Sequence, residues 1–316
     1  MQSSRSKVAI IGSGNVGSTF AFSLMISGLV REIVLIDRDE KRAEGECMDL
    51  NHGASFVHPV NIYAAGYEGC KGADIVVITA GARQKPGQAR LDLVQTNVGI
   101  FKDVIPKITK YAKDAILLVV TNPTDILTYV TLKISGFPYN KVMGSGTVLD
   151  SSRFRYLISE HCRVDPRNVH AYIIGEHGDS ELPVWSHANI GGMVLAQYCP
   201  ICKRDCNYKE ELGGIFEEVK NAAYKIVEAK GATYYAIGLA LVRIVEAILR
   251  DENSVLPVST LIDDYYGIND VCLSIPSIVN RNGVEKFLRL ELSGLEQEKL
   301  KYSAKTLKEI VQNIKL

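Results

Sequence analysis

Three glycines near the start of the chain constrain its fold more than any other feature. Gly12, Gly14 and Gly17 form a G-x-G-x-x-G pattern after the apolar run KVAII (7 to 11) and before a segment of helical length. In such a pattern the first glycine permits a tight turn, the second lets the backbone approach a pyrophosphate, and the third allows close helix packing. A glycine-rich turn without a ligand is the alternative, but the position between strand and helix favours a dinucleotide site.

Asp37 supports the same interpretation. It ends the second apolar run, EIVLID (32 to 37), 20 positions after Gly17. A carboxylate at this point accepts hydrogen bonds from the ribose hydroxyls and repels a 2′-phosphate, which predicts NAD rather than NADP. An aspartate at a strand end is also a common turn residue, so the prediction depends on the strand, the glycines and the acid together.

Further apolar runs alternate with helix-length segments in the first half of the chain, namely ADIVVITAGA (73 to 82), AILLVVTNP (115 to 123) and KVMGSG (141 to 146). This alternation predicts a Rossmann-type, doubly wound parallel sheet covered on both faces, an α/β fold. After about residue 145 the pattern changes to longer helices and shorter strands. We therefore expect an NAD-binding Rossmann domain over 1–145 and an α+β substrate domain over 146–316. Helical patterns run from about 209 to 249 and from about 295 to the end.

Length and charge limit the partners. A chain of 316 residues suits two domains, and 36 Lys and Arg balance 36 Asp and Glu. With no net field to attract nucleic acid or an acidic membrane surface, small molecules and other proteins are the expected partners. Residues 7 to 30 resemble a signal peptide, but glycines interrupt the run and no convincing cleavage site follows, so we expect a cytoplasmic protein.

The cysteines favour the same compartment. Seven cysteines are an odd count spread along a long chain, which indicates reduced thiols rather than a disulfide framework. Cys199, Cys202 and Cys206 in CPICKRDC resemble part of a zinc site, but a closed site needs four ligands and no fourth has a recognised spacing. We therefore expect a reduced surface loop and no metal.

Four polar motifs lie where they could meet at the carboxyl edge of the sheet: GARQKPGQARLDLVQTN (81 to 97), TNPTD (121 to 125), VLDSSRFR (148 to 155) and IIGEHGDS (173 to 180). With these motifs the chain resembles the lactate/malate dehydrogenase family, and within it the bacterial L-lactate dehydrogenases. The match is collinear from GSGNVG to KGATYYAIGLA (230 to 240). The resemblance implies an NAD-dependent enzyme that interconverts pyruvate and L-lactate.

The resemblance assigns catalytic roles to four residues. His177 is implied as the proton donor to the ketone oxygen, and Asp150 pairs with its other ring nitrogen, which stabilises the charged imidazolium. Arg153 is implied as the bidentate clamp of the substrate carboxylate, and Arg90 as the residue that closes over the substrate and stabilises charge on its carbonyl oxygen. Without the resemblance, Asp150 would be a helix N-cap and Arg153 an exposed helix residue.

Other residues are implied to choose the substrate and hold the cofactor. Asn122 hydrogen-bonds the carbonyl oxygen near the nicotinamide, or simply ends a strand. Gln84 stands where malate dehydrogenases have arginine, and a neutral residue there, with Thr233, favours pyruvate over oxaloacetate. Slightly larger 2-oxo acids stay open. The resemblance also implies cofactor contacts from Val16, Arg42, Gly81 and Ala82.

Arg155 and His170 are the last implied site. At the matching positions, bacterial relatives bind fructose 1,6-bisphosphate across a subunit interface, where two-fold symmetry gathers the positive charges. Local roles, an ion pair for Arg155 and a strand-end hydrogen bond for His170, are the alternative. We expect a homotetramer activated by this sugar bisphosphate. The competing functions are a malate or branched 2-hydroxyacid dehydrogenase and a non-catalytic NAD-binding protein.

Overall fold

The computed structural model describes residues 6–82, 90–198 and 208–314. Gln84 and the three clustered cysteines, Cys199, Cys202 and Cys206, lie outside these residues, as does the side chain of Arg90. What the sequence predicts for them stays a prediction.

Short strands and longer helices alternate along the first half of the chain. The strands are β1 (Lys7–Ile11), β2 (Glu32–Ile36), β3 (Asn61–Ala64), β4 (Ile75–Ile78), β5 (Ile116–Val119), β6 (Val142–Gly144), β7 (Val169–His170), β8 (Ile173–Ile174), β9 (Leu182–Pro183), β10 (Asn189–Ile190), β11 (Met193–Val194), β12 (Ser254–Ile262), β13 (Val271–Asn280) and β14 (Gly283–Phe287). The helices are α1 (Asn15–Ser27), α2 (Glu40–His52), α3 (Arg90–Tyr111), α4 (Thr124–Ser135), α5 (Val148–Cys162), α6 (Leu195–Tyr198), α7 (Tyr208–Lys230), α8 (Tyr235–Leu249) and α9 (Gly294–Gln312).

Six parallel strands form the first part of a nine-stranded sheet, in the order β3-β2-β1-β4-β5-β6. This order confirms the predicted Rossmann-type, doubly wound α/β fold. Each of the five predicted strands forms. The sequence did not predict the edge strand β3, because only Ile62 of its four residues is buried and the strand lacks a continuous apolar run.

The second half of the chain adds antiparallel strands to the same sheet. β12 pairs with β6 at Ser259 and Gly144, and β13 and β14 follow in order. Two small sheets, β11-β10-β7 and β8-β9, lie beside it. The division at residue 145 stays a prediction, and the large sheet extends across that point.

The core has two layers because alternate strand residues face opposite sides of the sheet. On one side Ala9 and Ile11 belong to a cluster with α3, α4 and α9, and on the other Val8 and Ile10 pack with α1 and α8. Helices therefore cover both faces, as the apolar strand runs predict.

The pattern from 209 to 249 resolves into two helices. Gly231 ends α7 with a positive φ of 82°, a conformation that glycine adopts without strain. The segment between α7 and α8 then carries Thr233 toward the sheet edge, where it lines a cavity.

Four of the cysteines lie in the described segments, and all four are buried: Cys47, Cys70, Cys162 and Cys272. Within 6–82, 90–198 and 208–314, no helix combines the length and apolar character needed to span a membrane.

Candidate active site

One cavity of about 980 Å³ opens at the carboxyl ends of β1, β4 and β5. The glycine-rich loop lies at one side of it, and the loop after β8 and the helices α5 and α7 close the other. Ten of the residues predicted for the site line this cavity, namely Gly14, Val16, Gly17, Gly81, Ala82, Asn122, Asp150, Arg153, His177 and Thr233.

Two of the three glycines are required by the fold itself. Gly12 has a φ of 100°, and a Cβ added there would lie 2.8 Å from the backbone nitrogen of Ala80. A Cβ on Gly17 would lie 1.9 Å from the carbonyl oxygen of Gly12. A side chain at Gly12 would therefore force the glycine-rich loop away from the segment after β4, and one at Gly17 would force α1 away from that loop.

Gly14 differs, because the protein does not need a glycine there. Its φ of −69° suits any residue, and an added Cβ would meet no protein atom within 4 Å. The space that this missing side chain leaves lies at the N-terminus of α1 and lines the cavity. A pyrophosphate fits this cradle, since it can approach the backbone and the helix dipole there.

Asp37 lies at the end of β2 and holds the glycine-rich loop. Its carboxylate accepts hydrogen bonds from the backbone N–H (2.6 Å) and hydroxyl (3.0 Å) of Ser13 and from the backbone N–H of Asp39 (3.0 Å). Partial burial acts to raise the pKa of Asp37, but these hydrogen bonds and Arg42 keep it below its usual value. Arg42 itself is exposed on α2 and does not line the cavity.

Asn97 on α3 is a site residue that the sequence does not single out. Its buried side chain accepts a hydrogen bond from the backbone N–H of Ala82 (2.7 Å) and donates one to the carbonyl of Asn122 (2.8 Å). The loops after β4 and β5 are thereby tied together, which fixes Ala82 and Asn122 at the cavity wall.

His177, Asp150 and Arg153 form the charged end of the cavity. The Nδ1 of His177 lies 2.5 Å from one carboxylate oxygen of Asp150, and Nη1 of Arg153 lies 2.8 Å from the other. Asp150 and Arg153 are one turn apart on α5, so they share a helix face. The side chain of Asp150 is 4% exposed, and that of His177 is 23% exposed. Nε2 is then the ring nitrogen of His177 left to meet a ligand.

The surroundings keep this histidine protonated at neutral pH. Burial acts to lower the pKa of His177, but the carboxylate of Asp150, with smaller contributions from Asp125 and Glu181, raises it to about 9. Burial likewise acts to raise the pKa of Asp150, and the adjacent His177 and Arg153 keep it below its usual value. The pair is therefore an imidazolium held by a carboxylate.

Two further contacts fix the backbone of the histidine loop. The backbone N–H of His177 donates to the carboxylate of Asp125 (2.7 Å), and the backbone N–H of Glu176 donates to the hydroxyl of Ser303 on α9 (2.7 Å). Asp125 also accepts from the hydroxyl of Ser259 (2.6 Å), and burial raises its pKa to about 6. Neither role could be found from local sequence, because each joins segments more than 50 residues apart.

A third carboxylate, that of Glu181, faces the same group of charges. Ligand atoms of Asp150, His177 and Glu181 lie within 4.8 Å of one another, a spacing that a metal ion could bridge. Asp150 is, however, already shared between a histidine and an arginine. The cationic arginine and the protonated histidine favour an anionic ligand over a metal ion at this position.

Arg155 and His170 lie apart from the cavity. Arg155 is half-buried on α5, where its Nε donates to the carbonyl of Ala171 (3.0 Å) and its guanidinium lies 5.3 Å from the ring centre of Tyr172. His170 is exposed at the end of β7, opposite Asn189 of β10. The ion pair that is the alternative role for Arg155 does not form within the described segments.

The fold and the cavity together define a dinucleotide-dependent dehydrogenase. Residues 6–144 match the family model of the lactate/malate dehydrogenase NAD binding domain, and residues 147–315 match that of the lactate/malate dehydrogenase alpha/beta C-terminal domain. The chain belongs to the lactate/malate dehydrogenase family, and its cofactor is NAD.

Curated relatives and solved structures agree with this assignment. The chain is 58% identical to the L-lactate dehydrogenase of Acetivibrio thermocellus, over 98% of this chain and 97% of that protein. It is 57% identical to that of Thermoanaerobacterium saccharolyticum, over 98% and 99%. The crystal structure of the minor L-lactate dehydrogenase from Enterococcus mundtii in a ligand-bound form superposes with a TM-score of 0.95 at 41% identity, covering 99% of both chains.

Proposed function

We propose that this chain is an L-lactate dehydrogenase that reduces pyruvate to L-lactate with NADH, and that His177 is the proton donor. The observation that carries the proposal is the His177–Asp150–Arg153 group, which shares one cavity with the open glycine cradle at Gly14. The names of the relatives support the substrate.

Arg153, His177 and Asp150 each have a role in this reaction. Arg153 offers its guanidinium to the substrate carboxylate, in partial exchange for its contact with Asp150. Nε2 of His177 then faces the carbonyl oxygen and gives it a proton, while Asp150 keeps the ring oriented through Nδ1. Bound NADH supplies the hydride that reduces the carbonyl carbon. The net reaction consumes one NADH and one proton per pyruvate, and solvent returns the proton to His177.

A non-catalytic NAD-binding protein would need the glycine cradle but not this group of charges. Burial of the charged side chains of His177, Asp150 and Arg153 is costly unless they pair with one another, because each buried charge needs a partner. Their presence in the cofactor cavity favours catalysis. Gln84 and Thr233 favour pyruvate over oxaloacetate, since neither of these two side chains is a cation that could pair with a second carboxylate.

A panel of 2-oxo acids tests the proposal. Loss of NADH absorbance is followed with pyruvate, 2-oxobutyrate and oxaloacetate, and again with NADPH in place of NADH. We expect pyruvate with NADH to give the highest kcat/KM. A higher value with oxaloacetate would identify a malate dehydrogenase, and no reaction with any acid would overturn the proposal. Replacement of Gln84 by Arg should move the preference toward oxaloacetate.

We propose further that fructose 1,6-bisphosphate activates a homotetramer through Arg155 and His170. Within the described residues no carboxylate pairs with Arg155, so its charge is available to an anion. His170 is exposed. It lies close to Arg155, because Arg155 donates a hydrogen bond to the carbonyl of Ala171, the residue after His170. A bisphosphate that binds one state better than the other shifts the population toward it.

The test measures the KM for pyruvate and the sedimentation velocity with and without the sugar bisphosphate. We expect the effector to lower the KM of the wild-type protein, and Arg155→Gln or His170→Ala to abolish this response. Arg167→Gln is the matched control, because Arg167 is an exposed arginine just before β7 that pairs with Asp165. An unchanged KM at millimolar effector, or the loss of the response in the control as well, would contradict the assignment.

A further inference from the structure

Glu181 is a buried acid for which the proposed reaction has no use. It is 8% exposed and lines the cavity beside His177. In the segments that the structure covers, no group donates a hydrogen bond to its side chain, and only its backbone N–H is bonded, to the carbonyl of Gly178 (3.1 Å). An ionised carboxylate in such a place is costly unless nearby cations balance it.

The charges that face Glu181 come from three elements. Helix α5 contributes Asp150 and Arg153, the histidine loop contributes His177, and α7 contributes Lys220 at the cavity wall. Its carboxylate lies within 4.8 Å of the ligand atoms of Asp150 and His177. Burial and the negative Asp150 raise the pKa of Glu181 to about 8, although His177, Arg153 and Lys220 act in the opposite direction.

Charge balance then depends on whether an anion is bound. Above about pH 8, where Glu181 is ionised, the inner group of Asp150, Glu181, His177 and Arg153 is neutral before substrate arrives, and Lys220 lies outside this group at the cavity wall. A substrate carboxylate would leave this buried group with an uncompensated negative charge, which is unfavourable in a poorly solvated cavity. Protonation of Glu181 restores neutrality, because Asp150 is stabilised as the anion by its two cationic neighbours.

This inference rests on the proposed function, in which Arg153 holds the substrate carboxylate. We propose that Glu181 takes up a proton from solvent when the anionic substrate enters the cavity, so that substrate affinity falls as Glu181 ionises. Glu181 acts through the charge balance of the site and gives no proton to the reacting carbonyl. It sets the pH range over which the cavity accepts a 2-oxo acid.

Calorimetric titration with oxamate, the amide isostere of pyruvate, tests the inference on the enzyme saturated with NADH. Titrations at about pH 7 and about pH 8.5, in buffers of different ionisation enthalpy, give the number of protons taken up per oxamate bound. From the two pKa values we expect about 0.1 proton at the lower pH and about one at the higher pH, mostly on Glu181. Over the same range we expect oxamate affinity to weaken about fivefold.

Glu181→Gln keeps the shape of the side chain and removes its titration. We expect uptake in this variant to fall to about 0.3 proton at pH 8.5, the part due to His177, and affinity to change less than about twofold between the two pH values. Glu218→Gln is the control, since Glu218 is exposed on α7 and does not line the cavity, and it should behave as the wild type does.

Two results would overturn the inference while leaving the proposed function intact: wild-type uptake of about 0.3 proton or less at pH 8.5, or equal uptake in the wild type and Glu181→Gln. The first needs no variant, so it can overturn the inference even if Glu181→Gln fails to fold. Failure of the proposed function is distinguishable, because the wild type would then neither bind oxamate nor reduce pyruvate.

Discussion

The two ends of the cavity are built by opposite means. The cofactor end consists of backbone and missing side chains, since Gly12 and Gly17 admit no Cβ and Gly14 leaves an open cradle. The charged end consists of the side chains of His177, Asp150 and Arg153, and the pKa values of His177 and Asp150 depend on their charged neighbours. A defect at the first end is therefore steric and local, whereas a defect at the second is electrostatic and shared among several residues.

The largest expected effect separates the two ends by function. Replacement of His177 by Asn should lower kcat for pyruvate reduction by about 10² to 10⁴, because it removes the general acid. The dissociation constant of NADH, measured by fluorescence titration, should stay within about twofold, since the cofactor cradle lies at the other end of the cavity.

His52→Asn is the control, because His52 is exposed at the end of α2, and its kcat should match the wild type. Near-normal turnover in His177→Asn would remove the proton-donor role. An equal loss of NADH affinity would instead show that the two ends are not independent.

The same contrast explains how much the sequence could predict. The cofactor end could be predicted from the sequence because its signal is contiguous: a strand, three spaced glycines and one acid at the end of the next strand. The doubly wound parallel sheet was predicted from the alternation of apolar runs and helices, because each buried strand is a continuous apolar run. The edge strand β3 has one buried residue and no such signal.

At the charged end the sequence motifs identified His177, Asp150 and Arg153 only through a family resemblance. Nothing local marks Asp125 as the acceptor of the His177 backbone N–H, because 52 residues separate the two. No sequence signal marks Glu181 either, since its importance arises from its burial beside other charges. Long-range electrostatics is thus what the fold adds to the sequence.

A pair of glycine variants sharpens the comparison at the cofactor end. Gly17→Ala should lower the free energy of unfolding by ~3 kcal/mol, because its Cβ would lie 1.9 Å from the carbonyl oxygen of Gly12. Gly14→Ala should cost less than ~1 kcal/mol, since its Cβ meets open space and only the N-cap preference changes.

NADH affinity should be sensitive to the substitution at Gly14, although its expected cost in stability is small. Gly14→Ala should weaken NADH binding by at least about tenfold, or ~1.4 kcal/mol, because the methyl group enters the space left for the pyrophosphate. Denaturant unfolding and NADH titration measure the two quantities. Unchanged NADH affinity in Gly14→Ala would mean that the pyrophosphate does not approach this cradle.

The smallest expected effect concerns Asp125, which touches the catalytic histidine only through its backbone. The carboxamide of Asp125→Asn can still accept the His177 N–H through its oxygen while its NH₂ turns to the hydroxyl of Ser259. Loop geometry is then kept, but a negative charge that helps to raise the pKa of His177 is lost. The pKa of His177 therefore falls, so the decline of pyruvate reduction at high pH moves to lower pH, while kcat at pH 7 changes by less than about threefold. The free energy of unfolding at neutral pH should rise in Asp125→Asn. The pKa of Asp125 is raised from 3.8 to about 6 in the folded protein, so the wild type loses stability as the pH rises between these two values, and the neutral amide does not.

Asp125→Ala is the matched comparison, because it leaves the His177 N–H without its acceptor and should cost ~1 to 3 kcal/mol in unfolding free energy. A pH profile of kcat that coincides in wild type and Asp125→Asn would show that Asp125 does not tune the histidine.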